Sequence, residues 1–334
     1  MDKNKNVSIK EIAKLCDVSV ATVSRVINNN GRFSEETRKK VENVIAQFNY
    51  KPNMVARSLR TSRSQCIGVL VPNINNEFFS TIVLEIENYL FPKGYSVFIC
   101  NTNGDENREK EYLRSLDVKG VDGLIYISGM KDIPSNCLKR KIPMVCIDRN
   151  PNNTNENMVI VQSDNYNGGF LATEELIKKG CKDILMLKSF KNHSSNKQRF
   201  EGYKDALKKH NMPVKEQLIL DINTSFEDAR KATDNFIKKD IKFDGIFAVN
   251  DCTALGSLVS LKENKIKVPQ QVKIVGFDNI FISQHSNPAI TTINQDKLKL
   301  AQEASKVLLE LINDEFIGEH HIILPVSLVK RGTT

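Results

Sequence analysis

The sequence is poor in the features that mark membrane proteins, exported proteins and enzymes. No apolar run approaches the ~20 residues that a membrane-spanning helix needs. The opening MDKNKNVSIKEIAK has no apolar signal core, so no export is expected and the chain reads as cytoplasmic. GxSxG, HExxH, GxGxxG and the phosphate loop GxxxxGKS (or its threonine form) are all missing, and Gly168-Gly169 opens a helix without dinucleotide spacing. The histidines (His193, His210, His285, His320 and His321) stand apart from any nucleophile or metal pattern and read as surface or core residues. The seven cysteines are odd in number and form no CxxC pair. Most sit in apolar runs such as YSVFIC and PMVCID, as small buried hydrophobes in a reducing compartment do. Catalysis, metals and cofactors are therefore not expected.

What is present is an uneven charge. The chain holds 48 Lys+Arg and 40 Asp+Glu; residues 1–64 hold 13 and 6 of them, leaving 35 and 34 for the remaining 270 residues. Nearly all the excess cation sits in the first fifth of the chain. A small basic module joined to a neutral body implies a polyanion partner for the module and a different one for the body.

Residues 8–50 read as three short helices. SIKEIAKLC opens with a capping box, Ser8 with Glu11, and repeats Ile9, Ile12, Ala13 and Cys16 at helical spacing. Ser19 can cap a second helix with Val23, Val26 and Ile27 inward. Ser34 can cap a third with Val41, Val44, Ile45 and Phe48 inward. Helix, tight turn, helix and supporting helix is the helix-turn-helix plan. The second helix then shows Val20, Ala21, Thr22, Ser24, Arg25 and Asn28 outward. Small residues let the backbone sit deep in a major groove. Arg25 could pair with guanine O6 and N7, Val20 and Ala21 could touch thymine methyls, and the hydroxyls and amides suit phosphates. NMVARSLRTSRS (53–64) has few apolar anchors and reads as a linker, helical only when bound.

From Ile67 onward, apolar strand-like runs alternate with helical ones. The strands are IGVLVP, YSVFIC, GLIYIS, PMVCID, MVIVQSD, DILMLK, LILDI, GIFAVND, KIVGFD and HIILPVSLV. Helical stretches separate most of them, as in parallel sheets covered on both faces. Ten strands over this length suit two α/β units.

SIKEIAKLCDVSVATVSRVINN, SEETRKKVENVIAQFNYKPN and VARSL resemble the DNA-binding headpiece of the lactose-repressor (LacI/GalR) family, and the likeness runs on to VKRGTT. It implies a helix-turn-helix domain at 1–52, a hinge helix at 53–64 and an effector-binding and dimerisation body at 65–334. The body would be periplasmic-binding-protein-like, with two Rossmann-like subdomains: one of about 65–162 plus 296–323, the other of about 163–295 plus 324–334. The resemblance puts base reading at Val20, Ala21 and Arg25. It puts backbone contacts at Ser8, Ser19, Thr22, Ser24, Asn28, Ser34, Thr37 and Tyr50. Leu59 matches the leucine that wedges into the minor groove, where unstacking one base step is offset by the contacts that the bend adds.

In the body, the resemblance to ribose-type members implies an effector site of Asn76, Phe78, Phe79, Asp148, Arg149, Arg199, Phe226, Asn250, Phe277, Asp278 and Gln295. Aromatic platforms with carboxylates, guanidiniums and amides suit a ligand dense in hydroxyls. Other readings stay open: Asn250-Asp251 as a helix cap, Phe226 and Phe277 as core, Asp148 and Arg149 as a structural pair. The third strand ends in Ser128-Gly129 where ribose binders offer an amide, and Val20-Ala21 looks more like galactose-type repressors. The expected protein is a homodimeric, sugar-responsive repressor on a pseudo-palindromic operator, its missing C-terminal heptads arguing against a tetramer. The alternatives are a catabolite-control regulator with a phosphorylated carrier protein as coeffector, and a sugar receptor without DNA function.

Overall fold

The computed structural model describes residues 7–50, 63–127, 129, 132–152, 155–191 and 193–334. The chain divides into two compact units, Met1–Ser64 and Gln65–Thr334.

The first unit holds α1 (Ile9–Leu15), α2 (Val20–Ile27) and α3 (Glu35–Gln47). Each starts where a serine hydroxyl accepts an otherwise unpaired amide: Ser8 from Glu11, Ser19 from Thr22, Ser34 from Thr37. At Ser8 the capping box is complete, with the Glu11 carboxylate accepting the Ser8 amide at 2.7 Å. Asp17, at φ 50°, takes the left-handed conformation that turns the chain between α1 and α2. Ile12, Ala13, Cys16, Val23, Val26 and Val41 make the small core. Phe48, expected inward, is the cap residue past α3 and stays 36% exposed.

The second unit is built on two six-stranded sheets. The first has the order β11-β5-β4-β3-β1-β2 and is parallel throughout. Its strands are β1 (Cys66–Val71), β2 (Ser96–Asn101), β3 (Gly123–Tyr126), β4 (Met144–Ile147), β5 (Met158–Ser163) and β11 (His321–Leu324). One face is covered by α4 (Glu77–Leu90) and α11 (Lys297–Ile312), the other by α5 (Glu106–Lys119). The second sheet has the order β12-β10-β9-β8-β6-β7, with only β12 antiparallel. Its strands are β6 (Ile184–Ser189), β7 (Ile219–Ile222), β8 (Gly245–Ala248), β9 (Lys273–Asp278), β10 (Thr291–Asn294) and β12 (Ser327–Val329). Helices α6 (Asn165–Lys178) and α7 (Ser194–Lys209) cover one face; α8 (Phe226–Ile237) and α9 (Asp251–Glu263) cover the other. A short α10 (Phe281–His285) follows β9. Burial on both faces explains the unbroken apolar runs in the central strands.

Two expectations about strands are corrected. HIILPVSLV is not one strand: Pro325 has no amide hydrogen to donate to a ladder, and the segments on either side of it join different sheets. TTIN, not expected as a strand, is β10. Its Thr291 and Thr292 are fully buried because their hydroxyls find partners in Thr334 (2.9 Å) and the Asp251 carboxylate (2.6 Å). Helices α6 and α7 meet glycine to backbone. A Cβ on Gly202 would lie 2.1 Å from the Tyr166 carbonyl oxygen, and one on Gly169 would lie 2.1 Å from that of Arg199. Among the described residues no helix is long and apolar enough to cross a membrane.

Candidate functional site

In the first unit α2 turns Val23 and Val26 into the core and leaves the rest of its surface outward. Val20 is 38% exposed; Ala21, Arg25 and Asn28 are exposed, and Thr22 and Ser24 half-buried. The Arg25 side chain has no hydrogen bond or ion pair among the described residues. Its aliphatic stem lies beside Gly31, where a Cβ would come 3.2 Å from Cδ. The Asn28 amide is committed to the Ser24 carbonyl at 2.7 Å. Ser8, Ser19 and Ser34 are the caps named above. The Ser19–Thr22 and Ser34–Thr37 hydroxyl pairs are each 2.9 Å apart, so these residues gather at helix N-termini, where amides and the helix dipole favour anions. Tyr50 packs on the small core. Leu59 lies outside the described residues with the rest of 53–62 of the expected hinge segment, as does Ser128.

In the second unit the loops leaving the carboxyl ends of both sheets enclose a cleft of about 920 Å³. In open parallel sheets this is where ligands bind. From the first sheet come Asn76, Phe78 and Phe79 after β1, Asn103 and Gly104 after β2, Gly129 after β3, and Asp148 and Arg149 after β4. The second sheet contributes Phe190, Lys191, His193 and Ser195 after β6, and Thr224 and Phe226 after β7. Asn250 follows β8, and Asp278 ends β9.

The charged residues at its floor are buried and cross-braced. Asp148, at φ 50°, accepts the Ser163 amide at 2.8 Å and the Asn165 side chain at 3.0 Å. Asn165 in turn accepts Arg199 Nε at 2.8 Å. Arg199 donates to the Val249 carbonyl at 2.5 Å, lies 3.6 Å from Asp278, and stacks 3.6 Å over the Phe277 ring. Arg149 donates to its neighbour's carbonyl at 2.7 Å and reaches Ser195, across the cleft, at 3.4 Å; its Nε is buried with no partner among the described residues. Burial pushes the Asp278 carboxyl up to about 7 against the pull of Arg199, and raises Asp148 as well. The same burial lowers both arginines from a value so high that they stay cationic.

Nine of the eleven expected residues line this cleft: Asn76, Phe78, Phe79, Asp148, Arg149, Arg199, Phe226, Asn250 and Asp278. Two stand behind it. Phe277 is fully buried as the platform under Arg199, and Gln295, also fully buried, donates to Asp278 at 2.6 Å. Asn76 and Asn250 serve also as caps, of α4 and α9. Asp251 is structural: it accepts Thr292 and the Ile280 amide, and burial raises it to about 6.

His193 corrects its reading as a surface or core residue, because it lines the cleft. Burial, with Arg149 and Lys191 close by, pushes it down to about 3, so it is a neutral imidazole that can both donate and accept. Glu109 was missed altogether. It sits on α5 among other charged residues with nothing in the pattern to single it out, yet it is buried at the cleft, accepting the Tyr126 hydroxyl and the Gly129 amide.

Residues 8–53 match the family described as bacterial regulatory proteins, lacI family. Residues 64–332 match periplasmic binding proteins and the sugar-binding domain of the LacI family. The HTH-type transcriptional repressor PurR of Vibrio campbellii is 35% identical over 329 residues, 98% of either chain. The lac repressor dimer bound to operator and the anti-inducer ONPF is 27% identical with a TM-score of 0.87, covering 98% of this chain and 99% of that one. A LacI-family regulator from Enterococcus faecium with bound ribose is 30% identical with a TM-score of 0.73, covering 80% of this chain and 98% of that one.

Proposed function

The chain belongs to the lacI family of bacterial regulatory proteins, and from that premise we propose that its effector is a small unphosphorylated sugar, a pentose or hexose, held in the cleft. It is a DNA-binding transcriptional repressor and not an enzyme; the effector class and the residue roles are the proposal.

The observation that carries it is the floor of the cleft, where Asp148, Arg149, Arg199 and Asp278 come from both sheets and are all buried. A carboxylate accepts two neighbouring hydroxyls and a guanidinium donates to hydroxyl oxygens, while Phe78, Phe79 and Phe226 offer faces to the apolar side of a sugar ring. The unpaired Arg149 Nε is a buried donor left over for such a ligand. Among charged groups lining the cleft, Glu106, Glu109, Asp148, Asp228 and Asp278 outnumber Arg149, Lys191 and Arg199, which disfavours a phosphate. The regulator with bound ribose supports the sugar class. Nothing in the cleft calls for a phosphorylated carrier protein.

On DNA, a homodimer sets two α2 helices about 34 Å apart on a pseudo-palindromic operator. Val20, Ala21 and Arg25 read bases; Ser8, Ser19, Thr22, Ser24, Asn28, Ser34, Thr37 and Tyr50 position the backbone; Leu59 wedges the minor groove. The lac repressor dimer on its operator supports this arrangement. Effector and operator then oppose or reinforce each other by about 1–3 kcal/mol.

Calorimetric titration of the purified protein with pentoses, hexoses, their phosphates and nucleobases tests the effector class. Binding of a free sugar is expected. Binding confined to a phosphate ester or a nucleobase would overturn it.

A further inference from the structure

We propose that Glu77 is a positioning residue that clasps the cleft shut from outside the ligand site. Glu77 is the first residue of α4, the helix that carries Phe78 and Phe79 on the wall of the first sheet. Its carboxylate accepts the amide of Phe281, on the wall of the second sheet, at 2.7 Å. Phe281 ends a four-residue corner that begins at Asp278, in which every residue is tied to something different. Asp278, at φ 104°, faces the cleft and accepts Gln295. Asn279, at φ 50°, accepts Arg331 at 2.6 Å and donates to Asn294 at 2.8 Å. Ile280 donates its amide to Asp251 and buries its side chain in the core cluster of the first sheet, among residues of α4 and α11. Phe281 then meets Glu77.

Two non-glycine residues in succession at positive φ hold a conformation that only the surroundings can maintain. The corner is therefore over-determined, and two of its determinants belong to the opposite wall: the apolar pocket that takes Ile280 and the Glu77 carboxylate. A charged acceptor on a backbone amide is stronger than a neutral one, so Glu77 fixes how far the Asp278 corner stands from the helix of Phe78. Elsewhere, Lys191 after β6 donates to the Gly104 carbonyl after β2 at 3.2 Å. The two contacts bridge the walls at separate places. Release of the first lets the cleft open, which the second then reports. The link to effector affinity rests on the function proposed above; the clasp itself does not.

Hydrogen exchange of the full chain without ligand tests it, read around Gly104 and Lys191. Glu77→Ala removes the acceptor and Glu77→Gln keeps one. Phe281→Pro removes the donor at a first helical position that tolerates proline, after Ile280 whose ψ of 165° suits the residue before one. Phe281→Ala keeps the donor. Glu77→Ala and Phe281→Pro are expected to speed exchange around Gly104 and Lys191 about tenfold, with Glu77→Gln and Phe281→Ala within about twofold of the parent protein. If Glu77→Ala does not fold, the Phe281 pair gives the result alone. Unchanged exchange there in Phe281→Pro, or equal acceleration in Phe281→Ala, would overturn the clasp. Since no sugar is added, failure here is distinct from failure of the effector reading.

Discussion

The headpiece and the body hold their functional groups in opposite ways. The Arg25 side chain stands in solvent with no partner among the described residues, on a helix stabilised by a handful of apolar contacts. Arg199 is 6% exposed, bonded to Asn165 and Val249, stacked on Phe277 and faced by Asp278. The ligands differ in kind. A duplex brings its own dense charge and rigid shape, so its readers stay free to adjust and lose little by being hydrated beforehand. The neutral sugar proposed for the cleft would bring neither, so the desolvation and ordering would have to be complete in the protein beforehand. The small module leaves its specificity to be organised on contact; the large one has the core to organise it in advance.

The sharpest way to break this contrast is Asp278→Ala. It strips Arg199 of its counter-charge and Gln295 of its acceptor, and truncating one partner of a buried pair costs about 2–5 kcal/mol. Sugar affinity should fall at least ~30-fold by calorimetry, with the far-ultraviolet circular dichroism of the body unchanged. Arg25→Ala should cost about 1–3 kcal/mol of discrimination while leaving salt-sensitive binding to any duplex. Mobility shifts with a selected operator against scrambled competitor measure it, and undiminished selectivity would remove Arg25 from base reading.

The next effect is a pH dependence that only the body should show. Burial pushes the Asp278 carboxyl up to about 7, and hydroxyl donors from a ligand would favour its carboxylate and lower it again. Affinity then rises with pH through 7 and levels off above it, with about a tenfold deficit at pH 6 relative to pH 8. A flat profile would mean that Asp278 does not face the ligand as an anion.

Two stability tests follow. Gly202→Ala drives a methyl into the Tyr166 carbonyl and should cost about 1–3 kcal/mol, roughly 2–10 °C in the melting temperature of the body. Ser34→Ala removes one cap, worth about 1 kcal/mol, and should show in headpiece melting while leaving the body transition in place.

Legibility in the sequence followed the range of the interactions. Ser8, Ser19 and Ser34 announced the headpiece helices because a cap is made within three residues. The central strands were plain because burial on both faces demands uninterrupted apolar runs. What escaped depends on distant partners. Thr291 and Thr292 look like loop until Thr334 and Asp251 supply their hydrogen bonds. His193 and Glu109 carry no local mark, and only the meeting of the two sheets' loops makes them cleft residues. Of the two readings open for Phe277, ligand contact or core, its place under Arg199 fits the second, and Gln295, expected at the ligand, stands one layer back on Asp278.

The separate destinations of the last two strands bear on how such a chain is made. β11 completes the outer edge of the first sheet and α11 covers one of its faces, yet both are translated after the whole second sheet apart from β12. A ribosome therefore carries a first sheet that lacks one edge strand, and has one face covered by α4 alone, until the second sheet has been made as far as β10, while the three helices of the headpiece precede all of it. Because β11 and β12 follow one another but join different sheets, removal of that one segment would strip an edge strand from both sheets at once.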